Sequence, residues 1–313
     1  MNLQPDLRVK IGPLTLRNPV IAASGTFGYA REYESLVDIN LLGAIIVKGL
    51  SLQPIQGNPP PRIVETPCGM LNAIGLANTG LEEFMKEKLP WLKTLDTCVI
   101  VNIYAHRIED YGKLANALKG VDSISAIEVN ISCPNVESGG MAFGIDPDSS
   151  AKVTEQVVNN TDKPVIVKLT PNVTDIRTIA KAVENAGADA LSLINTLNGM
   201  AIDIETRTPK LASISGGLSG PAVKPVALHM VYRAVQAVNI PVIGVGGIMD
   251  DMDALEFLIA GARAVQVGTA NFVNPRATVD IIEGIRRFCQ DKSIRSVNEI
   301  IGSLRIPEKC NST

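Results

Sequence analysis

The stretch "PVIVKLTPNVTDIRTIAKAVENAGADALSLINT" (164–196) decides the fold of this 313-residue chain. It begins and ends with short runs rich in Val, Ile and Leu, at 164–170 and 190–196. Runs that are apolar nearly throughout are typical of parallel strands buried on both faces. Between them, apolar residues recur at helical spacing from 176 to 186, and Gly187 suits the end of a helix. The stretch therefore predicts a strand, a helix and a second, parallel strand.

The same pattern recurs along the whole chain. Eight short apolar runs alternate with amphipathic stretches, at 18–25, 43–49, 98–104, 126–132, 164–170, 190–196, 241–247 and 264–270. Eight strands, each followed by a helix, predict an α/β fold of the (β/α)8 TIM-barrel type, whose usual size is roughly 250 residues. We expect a single domain over residues 1–313, and a doubly wound sheet is the alternative that this pattern leaves open.

The spacing of the runs locates the additional residues. The gaps after the second, fourth and sixth strands are too long for one helix, which predicts insertions at 50–80, 133–150 and 197–224. All three insertions follow the carboxyl end of a strand. We therefore expect them on the C-terminal (top) face, where barrel enzymes keep their active sites.

Composition and charge exclude several classes of protein. Apolar residues make up 46% of the chain, enough for a large core, and a net charge of -3 without a basic cluster argues against nucleic acid as a partner. No apolar run reaches the roughly 18 residues that a membrane span requires, and the start of the chain lacks a signal-peptide pattern. The five cysteines show no C-x-x-C spacing, so we expect a cytoplasmic protein without a metal or an iron–sulfur site.

Two lysines stand near the ends of predicted strands. Lys48 and Lys168 follow runs of apolar residues, where a lysine is costly unless it meets a charge. One such lysine alone would be explained by a side chain that reaches into solvent. Two on the same face of a barrel indicate an anionic ligand.

Small residues end the last two predicted strands, at Gly246-Gly247 and Gly268-Thr269. Barrel enzymes often hold a phosphate with the loops after these strands, where backbone N–H groups can approach it. The segment "SGGLSGPAV" (215–223) could add donors, although glycine also serves tight turns. No G-x-G-x-x-G follows a first strand, so a nicotinamide site of the Rossmann type is not expected in this chain.

Other polar residues fall in segments of the top face. Asn72, Asn130, Asn135 and Asn195 would together suit a planar ligand with amide edges, although the stabilisation of a turn also explains any one of them alone. In "NISCPNVESGG" (130–140) a cysteine stands where an apolar run ends in a glycine-rich loop, rather than inside the run. We interpret this cysteine as placed for chemistry.

Several motifs in this order resemble the dihydroorotate dehydrogenases. They are "MLNAIGLAN" (70–78), "NISCPN" (130–135), "NTLNGMAID" (195–203), "GGLSGPAVKP" (216–225) and "GVGGI" (244–248). The similarity extends from about residue 7 to residue 304. The resemblance implies an oxidoreductase that uses FMN to oxidise dihydroorotate to orotate in pyrimidine synthesis, and hence an FMN-binding barrel.

The resemblance also distinguishes classes within the family. Membrane-bound members carry an N-terminal helical extension and use a serine as the base. This sequence resembles them in neither respect. The segments "ASGTFGYAREY" (23–33) and "CPNVESGGMAFG" (133–144) resemble the NAD-linked class 1B catalytic subunits. The fumarate-linked class 1A enzymes have a different sequence after CPN.

The resemblance assigns roles position by position. Cys133 matches the catalytic base. The positions that match flavin-binding residues are Ser24, Lys48, Gly49, Asn102, Asn130, Lys168, Ile194, Gly220, Gly246, Gly247, Gly268 and Thr269. The positions that match the substrate site are Lys48, Asn72, Ala73, Ile74, Gly75, Leu76, Asn130, Asn135, Asn195 and Thr196.

Two positions depart from the family pattern. Cys68 replaces a residue that is usually alanine, and we expect it to be a small core residue. The turn in "NIYAH" (102–106) replaces a smaller turn that contains glycine, which leaves the shape of this loop open.

The implied chemistry removes a proton from one ring carbon and a hydride from its neighbour. FMN would take the hydride, because no side chain can. Cys133 would take the proton as a thiolate, and a free thiol titrates at about 8.5, so a modest downward shift suffices. Lys168 would support negative charge on the reduced flavin and Lys48 the substrate carboxylate.

The class 1B resemblance further implies NAD as the final electron acceptor. We expect a partner subunit that carries FAD and a 2Fe-2S cluster, in a heterotetramer built on a homodimer of this chain. The alternatives are a chain that works alone, a fumarate-linked class 1A enzyme or another FMN barrel acting on a related pyrimidine. A flavin-free barrel acting on sugar phosphates, or a scaffold without activity, is more remote.

Overall fold

The computed structural model describes residues 4–132 and 143–307. Eight parallel strands close into a barrel, and each strand pairs with its neighbours in the sequence. The strands are β1 (Val20–Ala22), β2 (Ala44–Leu50), β3 (Cys98–Ile103), β4 (Ala126–Asn130), β5 (Val165–Leu169), β6 (Ala190–Leu193), β7 (Val242–Val245) and β8 (Ala264–Val267). Pairing of Val265 with Val20 closes the ring between β8 and β1. The (β/α)8 prediction is confirmed.

Helices surround this barrel. The longer ones are α1 (Ile108–Leu118), α2 (Pro147–Val158), α3 (Ile176–Asn185), α4 (Lys224–Val235), α5 (Asp251–Ile259) and α6 (Ala277–Asp291). Shorter α-helical segments are Gly80–Glu83, Leu89–Leu92 and Ala270–Val273, and a π-helical segment is Phe84–Lys88. In the parts of the chain that the structure describes, no helix combines the length and the hydrophobicity that a bilayer span requires.

Helix α3 forms as the sequence pattern predicts. The Asp175 side chain caps its start by accepting a hydrogen bond from the Arg177 backbone N–H. Ile176, Ile179, Ala180 and Val183 are buried along one stripe of the helix. This stripe packs the helix against the barrel, whose strand β5 is buried at every position.

The connection from β1 to β2 differs from the expected helix. It contains two 3₁₀ turns, Arg31–Tyr33 and Ile39–Leu41. Its backbone takes positive φ at Gly25, Gly28 and Ala30, with values of 85°, 55° and 74°. An α-helix requires negative φ at every residue, so these positions prevent a helix from beginning after β1.

Two of the predicted insertions meet in one four-stranded antiparallel sheet. Its strands are, in spatial order, Leu197–Gly199, Gly216–Ser219, Gly69–Asn72 and Ile63–Thr66. The central pairing joins Gly217 to Asn72 and Leu218 to Leu71. Residues that are far apart in the sequence therefore build one layer on the top face. Smaller hairpins are Val9–Ile11 with Leu14–Leu16, and Ile202–Asp203 with Thr208–Pro209.

The expectation that Cys68 is a core residue is wrong. Cys68 is exposed, in the tight turn between strands Ile63–Thr66 and Gly69–Asn72. A turn residue at the tip of a hairpin points away from the packed strands, and its small size is therefore unrelated to core packing.

Candidate active site

A cavity of about 740 Å³ lies at the carboxyl ends of the barrel strands. Every barrel strand, or the residue that follows it, contributes to its walls, and the four-stranded sheet contributes Asn72 and Leu218. Ligand cavities typically have volumes of roughly 300–1,000 Å³. The cavity is therefore large enough for a ligand of cofactor size and occupies the face where barrel enzymes carry out their chemistry.

The predicted site residues converge on this cavity. All the positions that the family resemblance assigned to the flavin line it, namely Ser24, Lys48, Gly49, Asn102, Asn130, Lys168, Ile194, Gly220, Gly246, Gly247, Gly268 and Thr269. So do the substrate positions Asn72, Ala73, Ile74, Gly75, Leu76, Asn195 and Thr196, together with the shared Lys48 and Asn130. Cys133 and Asn135 lie outside the described residues.

One side of the cavity is built from backbone and small side chains. A Cβ at Gly247, where φ is +74°, would come within 2.6 Å of the backbone nitrogen of Lys224, the first residue of α4. A Cβ at Gly268 would meet no protein atom closer than 3.7 Å, so a side chain there would enter the cavity. The Thr269 hydroxyl donates to Ser219 Oγ at 2.8 Å. Backbone close to the start of a helix suits an anionic group such as a phosphate.

Lys168 lies in the floor of the cavity within a buried polar cluster. Its Nζ is 3.8 Å from Glu128 Oε2 and donates to Gln266 Oε1 at 3.4 Å. Glu128 is fully buried and accepts from Asn102 Nδ2 at 2.7 Å, from Ser192 Oγ at 2.8 Å and from Gln266 Nε2 at 2.7 Å. The fold therefore supplies a counter-charge for this lysine.

Lys48 meets a different environment on the other side of the cavity. Its side chain is half-buried, and burial lowers the pKa of its ammonium, with Glu32 raising the pKa and Arg62 lowering it by smaller amounts. Within residues 4–132 and 143–307, its ammonium forms no ion pair with a carboxylate. A desolvated cation without an ion-pair partner favours an anionic ligand, such as a carboxylate.

The asparagines form a second polar group. Asn195 Nδ2 donates to Asn130 Oδ1 at 3.3 Å and to Ser132 Oγ at 3.0 Å. Asn72 Nδ2 donates across the four-stranded sheet to the Gly217 carbonyl at 3.2 Å. Carboxamides held in this way present both donors and acceptors, as a ligand with amide edges requires.

The departure at 102–106 has a structural explanation. Tyr104 is fully buried, and its hydroxyl donates to the Leu76 carbonyl at 2.5 Å and accepts from Asn78 Nδ2 at 2.6 Å. Leu76 has a φ of +59°, which residues other than glycine rarely adopt. The tyrosine therefore holds segment 72–78 against the cavity in a conformation that needs support.

Sequence reasoning missed several residues of the site. Glu128, Ser192 and Gln266 lie beneath the cavity, and Ser132 and Asn172 line it. A signal existed for Glu128, because a carboxylate inside the apolar run "AIEVNIS" is as costly as a lysine and requires a partner. Ser132 and Asn172 carry no comparable signal, since polar residues are common after strands.

A sequence profile described as "Dihydroorotate dehydrogenase" matches residues 6–289 of this chain. The chain belongs to the dihydroorotate dehydrogenase family. Its relatives include proteins named "Dihydroorotate dehydrogenase B (NAD(+)), catalytic subunit". The one from a Thermoanaerobacter species is 56% identical over 301 residues, which cover 96% of this chain and 99% of the relative. The one from Geotalea daltonii is 58% identical over 303 residues, covering 97% and 99%. The one from Desulforamulus reducens is 58% identical over 301 residues, covering 96% and 99%.

These comparisons confirm the family resemblance and the expectation of an oxidoreductase. Dihydroorotate dehydrogenases depend on a flavin, and the cavity fits one. The Gly247 backbone beside the start of α4, together with the open space at Gly268, suits a phosphate. The Lys168 ammonium and the Asn102 carboxamide suit the polar edge of a flavin ring. In the described part of the chain, no group of three or more His, Cys, Asp or Glu side chains could hold a metal ion.

Proposed function

We propose that this chain is the catalytic subunit of an NAD-linked dihydroorotate dehydrogenase, which oxidises dihydroorotate to orotate in pyrimidine synthesis with noncovalently bound FMN. One observation carries the proposal: the two lysines, the asparagines and the glycine-lined wall converge on a single cavity. The names of the relatives supply the substrate and the acceptor. Bound FMN would supply the two-electron acceptor that no side chain provides.

The residues that would hold FMN divide between its two ends. Gly246, Gly247, Gly268 and Thr269 would receive the phosphate through backbone N–H groups and a hydroxyl. Lys168, Asn102 and Asn130 would contact the polar edge of the ring, and Ser24, Gly49, Ile194 and Gly220 would complete the walls. Lys168 would favour reduction because an ammonium stabilises negative charge in a site that excludes water.

The substrate would lie between the ring and the top-face segments. Lys48 would bind the substrate carboxylate. Its half-buried ammonium has no ion-pair partner within residues 4–132 and 143–307, so its charge is available to a ligand. Asn72, Asn130 and Asn195 would hydrogen-bond its amide edges, and Asn135 would join them. Residues 73–76 and Thr196 would shape the remaining surface.

We assign the proton transfer to Cys133. Its thiolate would accept the proton from the substrate carbon, while the ring of the substrate stays fixed by Lys48 and the asparagines. A thiol with a free pKa of about 8.5 needs only a modest downward shift to act near neutral pH. The assignment rests on the family motif "NISCPN" (130–135) and on the position of this cysteine after β4.

The electrons would leave through a second protein. The relatives are named catalytic subunits, which implies another subunit in their enzymes. This chain has no G-x-G-x-x-G sequence after its first strand that would indicate its own nicotinamide site. We propose a partner that carries FAD and a 2Fe-2S cluster, bound to each copy in a homodimer of this chain.

The cofactor and the substrate are tested together. Denaturing the purified chain should release FMN, and adding dihydroorotate without oxygen to the native protein should bleach its visible flavin spectrum. Release of FAD, or a colourless protein, would contradict the FMN assignment. A yellow protein that dihydroorotate does not bleach would contradict the substrate instead.

The base is tested by Cys133→Ala, with Cys68→Ala as the matched control because Cys68 is exposed in a hairpin turn. Cys133→Ala should retain flavin and bind orotate, yet reduce flavin roughly 10²–10⁴-fold more slowly. Cys133→Ser should keep a little activity at high pH. Near-normal flavin reduction in Cys133→Ala would refute the assignment.

The partner is tested by assaying NAD reduction by dihydroorotate with the chain alone and with the subunit encoded beside it. We expect NAD reduction only when both subunits are present. Rapid NAD reduction by the isolated chain would reject the two-subunit proposal.

A further inference from the structure

A fully buried carboxylate occupies the interior of the barrel beneath the cavity. Glu128 lies on β4, two residues before Asn130, so both side chains point to the same face of the strand. Asn130 lines the cavity, and Glu128 lies one layer below it with no exposed surface. Barrel interiors are usually filled by Val, Ile and Leu at such depth, so a carboxylate here calls for an explanation.

Three neutral donors and one ammonium surround this carboxylate. Oε1 accepts from Ser192 Oγ at 2.8 Å and from Gln266 Nε2 at 2.7 Å. Oε2 accepts from Asn102 Nδ2 at 2.7 Å and lies 3.8 Å from Lys168 Nζ. These groups come from strands β3, β5, β6 and β8, so the carboxylate connects elements around most of the barrel.

The carboxylate determines which way its neighbours face. Asn102 turns its NH₂ group down to Glu128, which leaves Oδ1 as the acceptor available to the cavity that Asn102 lines. Gln266 also turns its NH₂ group to Glu128, and its Oε1 then accepts from Lys168 Nζ. Lys168 is thus held both directly by the charge of Glu128 and through Gln266.

Burial of this charge costs several kcal/mol unless its partners compensate. A purely apolar layer would avoid that cost, yet it would leave Lys168 without a counter-charge and Asn102 free to turn over. The polar layer therefore gives Lys168 a counter-charge and fixes the orientation of Asn102 at the cavity floor, which apolar packing could not do.

We propose that Glu128 is a positioning residue that fixes the Lys168 ammonium and the Asn102 carboxamide toward bound FMN. The inference rests on the proposed function, because FMN is the group that these side chains would face. Glu128 acts through its neighbours and does not line the cavity itself.

Glu128→Gln tests the proposal with almost no change of shape. A carboxamide offers one oxygen to the surrounding donors, so its NH₂ group must face another donor, and Asn102, Gln266 or Lys168 has to move. We expect reduction of bound FMN to become at least tenfold less favourable, a midpoint potential about 30 mV more negative for a two-electron couple. The measurement is a redox titration against a reference dye, with FMN content recorded in parallel.

The sign of the shift separates positioning from bare charge. If Glu128 were only a buried negative charge, its removal would make the potential more positive, because reduction adds negative charge nearby. If it were only a structural residue, the melting temperature would fall and the potential would stay at the wild-type value. Either result would overturn the proposal.

Two further variants keep the test decisive. Ser192→Ala removes one donor but leaves the carboxylate, Gln266 and Lys168 in contact, and should shift the potential much less than Glu128→Gln does. Gln266→Leu breaks the connection to Lys168 and should lower the potential in the same direction, which remains measurable if Glu128→Gln does not fold. An unchanged potential in Gln266→Leu would then reject the inference. A wild-type protein without flavin would refute the proposed function itself, and this inference with it.

Discussion

Lys48 and Lys168 come from equally apolar strands on the same face of the barrel, yet the fold treats them differently. Lys168 lies 3.8 Å from the buried Glu128 carboxylate and donates to Gln266. Lys48 is half-buried, burial lowers the pKa of its ammonium, and no carboxylate pairs with it in the described ranges 4–132 and 143–307. The comparison teaches that the charge of a lysine at a strand end can be balanced by the fold, as at Lys168, or left for a ligand to balance, as at Lys48, and that the charge partners distinguish the two cases.

The largest expected effect follows from removing the paired lysine. Lys168→Met leaves Glu128 buried without its cation, and breaking a buried pair in this way costs roughly 3–5 kcal/mol of folding free energy. Lys48→Met is the matched control and should cost little, because no ion pair is lost. Urea unfolding of both variants, without added flavin, measures the difference. Equal losses of stability in the two variants would contradict the inference that only Lys168 has a charge partner that stabilises the fold.

The second expected effect concerns ligand binding by the unpaired lysine. Lys48→Met should weaken orotate binding by about 2 kcal/mol, or roughly 30-fold, as for truncation of a charged partner in a buried pair. FMN content should fall less than orotate affinity. Titration of the flavin spectrum with orotate measures the affinity. Orotate binding that survives in Lys48→Met would show that another group holds the carboxylate.

A smaller effect is expected from the Tyr104 hydroxyl, which supports segment 72–78 at the cavity. Tyr104→Phe removes the hydroxyl that bonds Leu76 and Asn78, at a cost of about 1 kcal/mol, and should raise KM for dihydroorotate about fivefold. The kcat value should change little, because segment 72–78 would contact the substrate in the proposed site and would not take the proton. A loss in kcat with KM unchanged would contradict this role.

The smallest expected effect is the pH dependence of stability due to Lys48. Its folded-state pKa is below the ordinary value of 10.5, so between the two values the unfolded chain binds more protons. Stability should therefore rise with pH through that window. The difference in unfolding free energy between wild type and Lys48→Met, followed from pH 7 upward, isolates this contribution. A difference that is flat or falls with pH would contradict it.

Much of the site could be predicted because it depends on local sequence. The carboxyl ends of parallel barrel strands meet on one face, so residues after each apolar run had to converge, and the described ones do. The family motifs then assigned individual positions. Cys133 and Asn135 lie outside the described residues, and their roles stay predictions.

The sequence by itself determined the barrel, the amphipathic helix at 175–187 and the face on which the polar residues gather. Periodicity reports which side of an element is buried, and that is local information. Only the tertiary structure decided that segments near residues 70 and 217 pair in one sheet, that Tyr104 supports Leu76, and that Glu128 neutralises Lys168 rather than Lys48. These contacts join residues 28 to 147 positions apart, for example Leu71 with Leu218, and no local pattern encodes which distant partner a polar group will meet.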